Sequence, residues 1–526
     1  MRQSGILPAL ATSLALLGVS AGGATAQGSE VTLRSIDGSI SLSGALLDFD
    51  GESYRIATTI GEISVDALQV ECVGAGCPPP EALRSIYTIA GSNTIGVGLM
   101  PAFIDGYALD LDSFLVQEVS SPTEMMLTVQ DQSENPLAEI TVLAAGSDSG
   151  FDALLSGQAA LAMSSRRVTE NEVRAAANAG LGNLISPEQE LIIGLDGILV
   201  LTARSNPVRA LTLPQLAGIF SGRLRNWADV GGPDAPISVY ALTDDTGTRG
   251  VFENVVLSPI GARITPAAQE FATNVEVSDA VAADPFGIGF AGFAFERNAQ
   301  AISIREACGL QSAPTVFNIK TEEYPLARRL YLYRGNGPLP PQAQALLRYI
   351  SSDEAQDLIV EAGFVDQALS TKPLEELGRR IANTVLSTQE EVSFSDVREM
   401  FGALVNAERA STTFRFETGS SNLDARAVRD VARMAELIAS GAFSTKEVIF
   451  VGFTDAVGQA GLNRSLSVRR AAQVVQAIEA AAPPGALDGQ AISVLGLGEI
   501  SPVGCNDTFE GRSLNRRVEV WLRDRV

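Results

Sequence analysis

The spacing of apolar residues changes along this chain, and the change limits the kinds of domain that it can form. Residues 29–77 alternate apolar and polar side chains, as in ISLSG and EISVDALQVEC, which predicts β-strands. From Tyr87 to about Asp366, short apolar strands instead alternate with helical segments, which is typical of an α/β fold. Because 526 residues exceed one ordinary domain, we predict a multidomain α/β protein with a small all-β N-terminal module.

Charge and composition exclude several classes of function. The net charge is −24, and Lys320, Lys372 and Lys446 are the only lysines. An acidic chain without a basic run is a poor partner for nucleic acid or for an anionic membrane. Histidine is absent, which excludes imidazole bases, Ser-His-Asp triads and the commonest metal ligand. We therefore predict no enzymatic activity, no metal and no other cofactor.

The N-terminus has the three parts of a cleavable export signal. Arg2 supplies the positive charge, residues 6–19 form a short apolar core, and ATA at residues 24–26 is an A-x-A cleavage site. We expect residues 1–26 to be removed before Gln27. The apolar core is too short for a transmembrane helix, and no cysteine stands near the cleavage site to carry a lipid. These features predict a periplasmic protein.

The alternating region is predicted to be a β module of residues 27–80. Two Asp-Gly pairs, at residues 37–38 and 50–51, are hairpin signals between its strands. Cys72 and Cys77 flank the flexible sequence VGAG, and an oxidising compartment would let them form a disulfide. No chemistry is evident in this module, and docking or capping is the simplest interpretation.

The other two cysteines, Cys308 and Cys505, lie in different predicted domains. They could be free, pair with each other or bridge two molecules, and the sequence does not choose among these states.

Three turns in the α/β region carry hydroxyl groups at predicted helix starts. They are Ser92-Asn93-Thr94 after YTIAG, Ser164-Ser165-Arg166 after LAM, and residues 245–249 (DTGTR) after ISVYAL. Such turns present hydroxyls and backbone N–H groups to an anion. Each one alone is explained by an ordinary helix cap, whereas three on one scaffold favour an anion site.

This α/β region, residues 81–366, resembles the periplasmic phosphate-binding proteins of ABC transporters. The matching motifs include IAGSNTI, LLSGQAALAMSSRRVTENEV, IFSGRLRNWADVGG and DDTGTRGVF, in the order of the family. The resemblance implies two α/β lobes around a cleft. It also implies that phosphate or a related oxyanion contacts Ser92, Thr94, Ser165, Arg166, Thr246, Gly247 and Thr248. Leu242 replaces an arginine that the family commonly has, which predicts weaker binding, and predicts that Leu242→Arg would strengthen it.

Near the C-terminus, a carboxylate and a guanidinium are placed to meet. Residues 448–451 form an apolar strand that ends at Gly452, Asp455 follows in a Gly-rich turn, and Asn463 opens a helical pattern that contains Arg470. Opposite charges held close together suit a zwitterion, because the carboxylate binds an ammonium and the guanidinium binds a carboxylate.

This segment resembles the peptidoglycan-binding domain of the OmpA C-terminal family over residues 411–526. The motifs are FRFETGSSNL, the pair Thr454–Asp455, LNRSLS, RRA, LGLGEISP and NRRVEV. The resemblance implies that Asp455 and Arg470, with Thr454 and Asn463 beside them, bind the diaminopimelate of a stem peptide. Residues 367–410 are predicted to be a helical linker.

The sequence therefore predicts a periplasmic solute-binding protein tethered to peptidoglycan near the outer membrane. The expected ligand is phosphate or a related small oxyanion, and an ABC transporter or an outer-membrane protein is a possible partner. An alternative is an envelope scaffold whose binding domain has lost its ligand, which the leucine at position 242 favours. A wall enzyme or phosphatase is a third reading, disfavoured by the missing histidines and metal ligands.

Overall fold

The structure is a computed structural model that describes residues 30–525, apart from 36–39, 50–52, 68–69, 75, 79–83, 245, 387–392, 417–422 and 424. The predicted export signal lies outside the described residues. The chain forms two compact units, residues 1–83 and 84–526. Among the described helices, none combines the length and the apolar character needed to cross a bilayer.

The N-terminal unit is a single antiparallel sheet with the strand order β4-β3-β2-β1-β5. Its strands are β1 (Glu30–Ser35), β2 (Ser41–Phe49), β3 (Ser53–Thr58), β4 (Gly61–Asp66) and β5 (Val70–Val73). The alternation predicted these strands because one face packs against a small core that includes Val31, Leu33 and Ile56. The predicted disulfide Cys72–Cys77 is confirmed. Both Asp-Gly pairs fall on residues that are not described, but the strands that flank them pair antiparallel.

The second unit begins with an α/β lobe whose sheet is covered by helices. The elements of this first lobe are β6 (Ser85–Gly91), α1 (Asn93–Gly98), α2 (Met100–Asp110), β7 (Phe114–Ser121), β8 (Glu124–Gln130), β9 (Pro136–Leu143), α3 (Ser147–Leu155), β10 (Leu161–Ser164) and α4 (Glu170–Asn178). Strand β6 is parallel to β9 and to β10, as the alternating pattern predicts for an α/β sheet.

A second lobe follows, built around stacked aromatic side chains. Phe252 lies flat against Phe290 at 4.1 Å between centroids, and Phe220 meets both edge-on. The strands are β11 (Glu190–Thr202), β12 (Ala210–Thr212), β13 (Ser238–Leu242), β14 (Gln269–Phe271), β15 (Gly287–Gly292), β16 (Gln300–Ala301), β17 (Ser303–Arg305) and β18 (Gln311–Ser312). The helices are α5 (Leu213–Phe220), α6 (Gly247–Phe252), α7 (Asn274–Ala283) and α8 (Val316–Lys320), with short turns at Trp227–Val230, Glu253–Leu257, Ser258–Ile260 and Phe293–Phe295.

Two long antiparallel strands join the lobes. The chain returns to the first lobe through β19 (Ala327–Arg334), α9 (Pro341–Ile350) and α10 (Glu354–Glu361). Strand β19 pairs with β10 in the first lobe and with β11 along its whole length, while the end of β11 pairs with β15 in the second lobe. We call β11 and β19 the hinge strands, because among the described strands these two carry the sheet from one lobe into the other.

The C-terminal domain is a separate five-stranded sheet with the order β20-β21-β24-β22-β23. Its strands are β20 (Thr371–Pro373), β21 (Ala407–Arg415), β22 (Lys446–Gly452), β23 (Ala491–Gly496) and β24 (Arg517–Asp524). Its helices are α11 (Gly378–Leu386), α12 (Phe394–Leu404), α13 (Ala425–Ala439), α14 (Ala460–Ala481) and α15 (Phe509–Asn515), with a short turn at Leu374–Leu377. Helices α13 and α14 pack on one face of the sheet and α12 packs on the other.

Two details of this domain differ from the sequence prediction. Residues 367–410 were expected to be a linker, but β20 pairs with β21, and α12 buries Met400 and Leu404 against the sheet. The charged outer face of α12 resembles a solvated linker in sequence, while its apolar face belongs to the core. Helix α14 also begins at Ala460, three residues before Asn463.

A buried ionic cluster joins the C-terminal domain to the second lobe. Arg409 and Glu519 are fully buried, and the Arg409 guanidinium lies 3.2 Å from Glu519 and 2.5 Å from Glu323 of the second lobe. Arg380 and Arg517 contact the same Glu519 carboxylate at 2.8 and 2.7 Å. Burial alone would raise the pKa of Glu519, but the three arginine charges lower it overall.

Candidate functional site

The three hydroxyl-bearing turns converge at one point between the lobes. Gly247, at the start of α6 in the second lobe, lies closest to this point. A Cβ placed on Gly247 would lie 3.0 Å from Thr94 Oγ1, 3.8 Å from Ser165 Oγ and 3.9 Å from Ser92 Oγ, all three in the first lobe. The cleft therefore has hydroxyls from one lobe facing backbone from the other.

Close packing of two parallel strands puts the first two turns side by side. Gly91 ends β6 with φ at 137°, and any side chain there would collide with the Met163 carbonyl on β10. The Ser92 N–H donates to that same carbonyl at 2.9 Å. Because β6 and β10 approach this closely, the residues that follow them, Ser92 and Ser165, lie together at the sheet edge.

Ser92 is buried and its hydroxyl is unsatisfied. It is 1% exposed, and its Oγ has no hydrogen-bond partner among the described residues. A buried hydroxyl without a partner is costly, and this one faces the cleft, where it is available to hydrogen-bond a ligand. The Ser165 hydroxyl lies beside Ser147 Oγ at 3.4 Å, whereas Thr246 uses its hydroxyl to cap α6 by accepting from Arg249 N–H.

The positive charge at this cleft comes from Arg328 on the hinge strand β19. Its Nη2 donates to Thr94 Oγ1 at 3.4 Å and to Thr248 Oγ1 at 3.3 Å, and its Nη1 donates to the Gly247 carbonyl at 3.2 Å. Asp196 on β11 accepts from the same guanidinium at 2.5 and 2.9 Å. Arg328 thus touches both lobes while a buried carboxylate fixes its position.

Arg166 and Leu242, by contrast, do not supply charge to this cleft, because Arg166 is held in ion pairs and Leu242 lies in the core. The Arg166 guanidinium pairs with Glu172 at 2.6 Å and with Asp148 at 2.5 Å, and it lies over the Phe151 ring. The hydrogen bonds to Glu172 and Asp148 raise the pKa of Arg166 despite its partial burial. Leu242 is fully buried in the core of the second lobe. An arginine there would bury a charge among apolar groups, so the predicted benefit of Leu242→Arg has no basis in this geometry.

The second candidate site, in the C-terminal domain, pairs Asp455 with an arginine that the sequence analysis did not assign. Asp455 Oδ2 accepts from Arg516 Nη1 at 2.8 Å, and Oδ1 accepts from the Val457 N–H at 3.2 Å. Asp455 follows β22, and Arg516 directly precedes β24, the strand that pairs with β22. A carboxylate has about four acceptor positions, so Asp455 retains capacity for an ammonium group.

Arg470 has unsatisfied donors on the same side of the sheet. It is 5% exposed, it lies over the Phe416 ring at 5.1 Å, and its Nε and Nη1 have no partner among the described residues. Burial lowers the pKa of Arg470, the nearby charge of Arg516 lowers it further, and Asp455 opposes both effects. The unsatisfied donors of Arg470, with the charge of Arg516 nearby, favour the binding of a carboxylate.

Thr454 and Asn463 complete this site. Thr454 is 3% exposed, and its hydroxyl also has no partner among the described residues. Asn463 on α14 donates to the Asp455 carbonyl at 3.3 Å and to Glu499 Oε2 at 3.0 Å. All four residues predicted for this site are therefore close to the Asp455 turn or to its charges, and Arg516 and Glu499 join them.

The residues that the sequence analysis missed are brought in by long-range pairing. Arg328 and Arg329 are neighbours in strand β19. Because successive side chains of a strand point to opposite faces, Arg328 faces the cleft and Arg329 faces the other side. In NRRVEV, Arg516 likewise faces the site while Arg517 enters the buried ionic cluster. A polar arginine inside an otherwise apolar strand was the available signal for Arg328.

Comparison with known families agrees with this division of the chain. Residues 112–354 match the family described as a PBP superfamily domain, and residues 415–516 match the OmpA family. The chain carries a PBP superfamily domain followed by an OmpA family domain. The PBP domain contains the cleft with Arg328, and the OmpA domain contains the site with Asp455.

Curated relatives match the PBP domain. Protein SphX of Synechococcus elongatus is 31% identical over 223 residues, which are 40% of this chain and 64% of the relative. The phosphate-binding protein PstS of Borreliella burgdorferi is 25% identical over 251 residues, which are 46% of this chain and 84% of the relative. This chain thus spans less than two thirds of the length of SphX.

Solved structures are similar to each domain separately. One is an ABC-type phosphate transport receptor from Vibrio cholerae, which is 24% identical with a TM-score of 0.41. The matched region covers 53% of this chain and 99% of the receptor chain. Another is the peptidoglycan-associated lipoprotein from Burkholderia pseudomallei, which is 20% identical with a TM-score of 0.19. The matched region covers 21% of this chain and 89% of the lipoprotein chain.

Proposed function

We propose that this protein binds a small oxyanion, with phosphate as the first candidate, in the cleft of its PBP domain. We also propose that its OmpA domain attaches it noncovalently to peptidoglycan in the periplasm. In this proposal the protein is a binding protein and catalyses no reaction.

The unsatisfied Ser92 hydroxyl beside Arg328 is the observation that carries the anion proposal. Ser92, Thr94, Ser165 and Thr248 offer hydroxyls that can both donate and accept, so they suit an anion that itself bears a proton. Arg328 adds one charge-assisted donor. The similar PstS of Borreliella burgdorferi is a phosphate-binding protein, which favours phosphate among the oxyanions of this size.

Calorimetric titration with phosphate tests the anion site. The double variant Asp196→Asn/Arg328→Met removes the charge and also its buried partner, so that no lone carboxylate remains in the hinge. We expect phosphate affinity to fall roughly 10- to 100-fold, the value of one charge-assisted contact. Arg166→Met is the control and should stay within about threefold of wild type, because Arg166 is held by Glu172 and Asp148.

Sulfate and simple organic phosphates belong in the same titration. If no anion binds the wild-type protein, the anion proposal is wrong and a scaffold role replaces it. If Arg166→Met lowers phosphate affinity more than the double variant does, then Arg166 and not Arg328 supplies the charged contact to the anion.

The OmpA site suits the two ends of a diaminopimelate residue. Asp455 takes the ammonium, while the buried N–H groups of Arg470 take the carboxylate. Arg516 holds the Asp455 carboxylate in place at 2.8 Å. The Thr454 hydroxyl supplies a further donor or acceptor at the same point.

Sedimentation with purified sacculi tests this second site. Asp455→Ala and Arg470→Ala should each leave the protein in the supernatant. Arg469→Ala is the matched control, because Arg469 is the neighbouring arginine on α14 and is exposed. Sedimentation of both site variants at the wild-type level would show that the wall contact lies elsewhere on the protein.

A further inference from the structure

The hinge strands face the anion cleft of their own domain on one side and the OmpA domain on the other. Asp196 and Arg328 are cross-strand partners that face the anion cleft, and the next pair along, Leu195 and Arg329, faces the opposite side. Leu195 and Arg329 line a groove together with Met434 on α13 of the OmpA domain. The OmpA domain therefore packs on the back of the strands that carry the anion site.

The OmpA domain is attached firmly to the second lobe. Cys505 forms a disulfide with Cys308, which settles the pairing that the sequence left open. Arg409 makes the buried pair with Glu323, and Arg415 donates to the Thr321 carbonyl at 2.7 Å. One covalent bond and a desolvated ion pair make this the stronger of the two attachments.

The attachment to the first lobe is weaker and comes from α13. Arg429 lies 3.7 Å from Glu190, the first residue of hinge strand β11, whose carboxylate also pairs with Arg167 of the first lobe. Arg433 lies 4.0 Å from Asp353 and donates to the Gln367 carbonyl at 2.6 Å. These two arginine side chains are 27% and 34% exposed. Glu190 is buried, whereas Asp353 is exposed, but both ion pairs are long, so each is weaker than the close pair between Arg409 and Glu323.

We propose that the OmpA domain is a releasable brace across the hinge and that its contact with the first lobe controls opening of the anion cleft. This inference rests on the proposed function for the role of the cleft. The restraint of the first lobe by α13 does not itself depend on anion binding. Because Ser92 and Thr248 are almost completely buried, an anion reaches them only if the lobes separate. Separation moves the first lobe away from α13 while the disulfide keeps the OmpA domain on the second lobe.

Both attachments also lie next to the peptidoglycan site. Asn506, adjacent to Cys505, accepts from the Ala456 N–H in the Asp455 turn at 3.1 Å. On the other side, Leu423, just before α13, bridges to Phe416, the ring beneath Arg470. Residues at both attachments therefore lie next to the wall site, on either side of the Asp455 turn and the Phe416 ring.

Hydrogen exchange of the full-length protein, followed by mass spectrometry without ligand, tests the brace. In Arg429→Ala/Arg433→Ala, peptides covering 93–98 and 247–252 should exchange roughly threefold to tenfold faster, because two weak ion pairs no longer oppose opening. Arg469→Ala, which removes an exposed arginine on α14, should not change these rates. Cys308→Ser/Cys505→Ser should give the same acceleration and should also expose residues 498–508.

Equal exchange in Arg429→Ala/Arg433→Ala and Arg469→Ala would overturn the proposal. Phosphate calorimetry on the same proteins separates the two claims. If wild type binds no phosphate, the proposed function fails while the exchange rates still decide whether the brace exists.

Discussion

At the scale of single residues, both sites are marked by buried polar atoms that the protein leaves without partners. Ser92 Oγ in the cleft, and Thr454 Oγ1 and Arg470 Nη1 in the OmpA domain, are such atoms among the described residues. Native proteins satisfy nearly all buried polar groups. Their position near fixed charges, Arg328 in one site and Asp455 in the other, supports the proposal that a ligand supplies the missing contacts.

Ser92→Ala should therefore separate stability from binding. Removing an unsatisfied buried hydroxyl should leave the free energy of unfolding unchanged or raise it by about 1 kcal/mol, while phosphate affinity falls about tenfold or more. Thr202→Val is the matched control, because Thr202 is another buried hydroxyl without a partner among the described residues. Differential scanning calorimetry with and without phosphate measures both effects, and a clear loss of stability in Ser92→Ala would contradict the assignment.

The sequence predicted the residues of each site that lie within a contiguous motif, but it did not predict those that come from far away in the chain. Ser92, Thr94 and the turn at 246–248 were predicted because hydroxyls next to a strand end are visible within a few residues. Arg328 could not be assigned in this way, since its partner Asp196 is 132 positions away and the pair exists only through the register of β11 and β19.

At the scale of elements, β20, α11 and α12 decide where the OmpA domain begins. A fragment of residues 412–526 would cut β21 in the middle and remove Arg409 and Arg380 from Glu519. The helical pattern of 367–410 was visible in the sequence, but the side on which it packs depends on strands that come later in the chain, at 446–452 and 517–524.

We expect a fragment of residues 370–526 to fold and a fragment of 412–526 to be largely unfolded. The shorter fragment leaves the buried Glu519 with fewer of its cationic partners and loses the apolar face of α12. Thermal melts followed by circular dichroism test this expectation. A cooperative transition in the shorter fragment would show that the core does not need these elements.

The buried ionic cluster predicts that stability is lost in acid. Burial opposes ionisation of Glu323, but Arg409 outweighs it and lowers the pKa of that carboxyl, as the arginines do for Glu519. A carboxyl with a lowered folded pKa stabilises the protein above its unfolded pKa of about 4.3, and this contribution is lost as the pH falls further.

The Trp227→Phe variant keeps Trp521, whose indole N–H donates to Glu519 at 3.0 Å, as a reporter of the cluster. Urea unfolding followed by its fluorescence should show a free energy of unfolding that is level from pH 7 to about 5 and that falls by a few kcal/mol below about 4. A level profile down to pH 3 would mean that the cluster contributes little.

At the scale of the whole molecule, residues 84–526 form one compact unit that contains both candidate sites. The disulfide Cys308–Cys505 spans 197 positions, and sequence spacing alone could not distinguish it from two free thiols. The domain order, by contrast, followed from motifs that are each contiguous in the chain. Because each site is built from residues of its own domain, we expect that the two sites can be lost independently.

The most direct test is a double sedimentation assay with sacculi and radiolabelled phosphate. Wild-type protein should carry label into the pellet. Asp455→Ala should keep phosphate binding but remain in the supernatant, and Asp196→Asn/Arg328→Met should sediment without label. If the pellet of wild-type protein contains no more label than sacculi alone, or if one variant loses both activities while it remains folded, a wall-tethered oxyanion-binding protein is the wrong description of this chain.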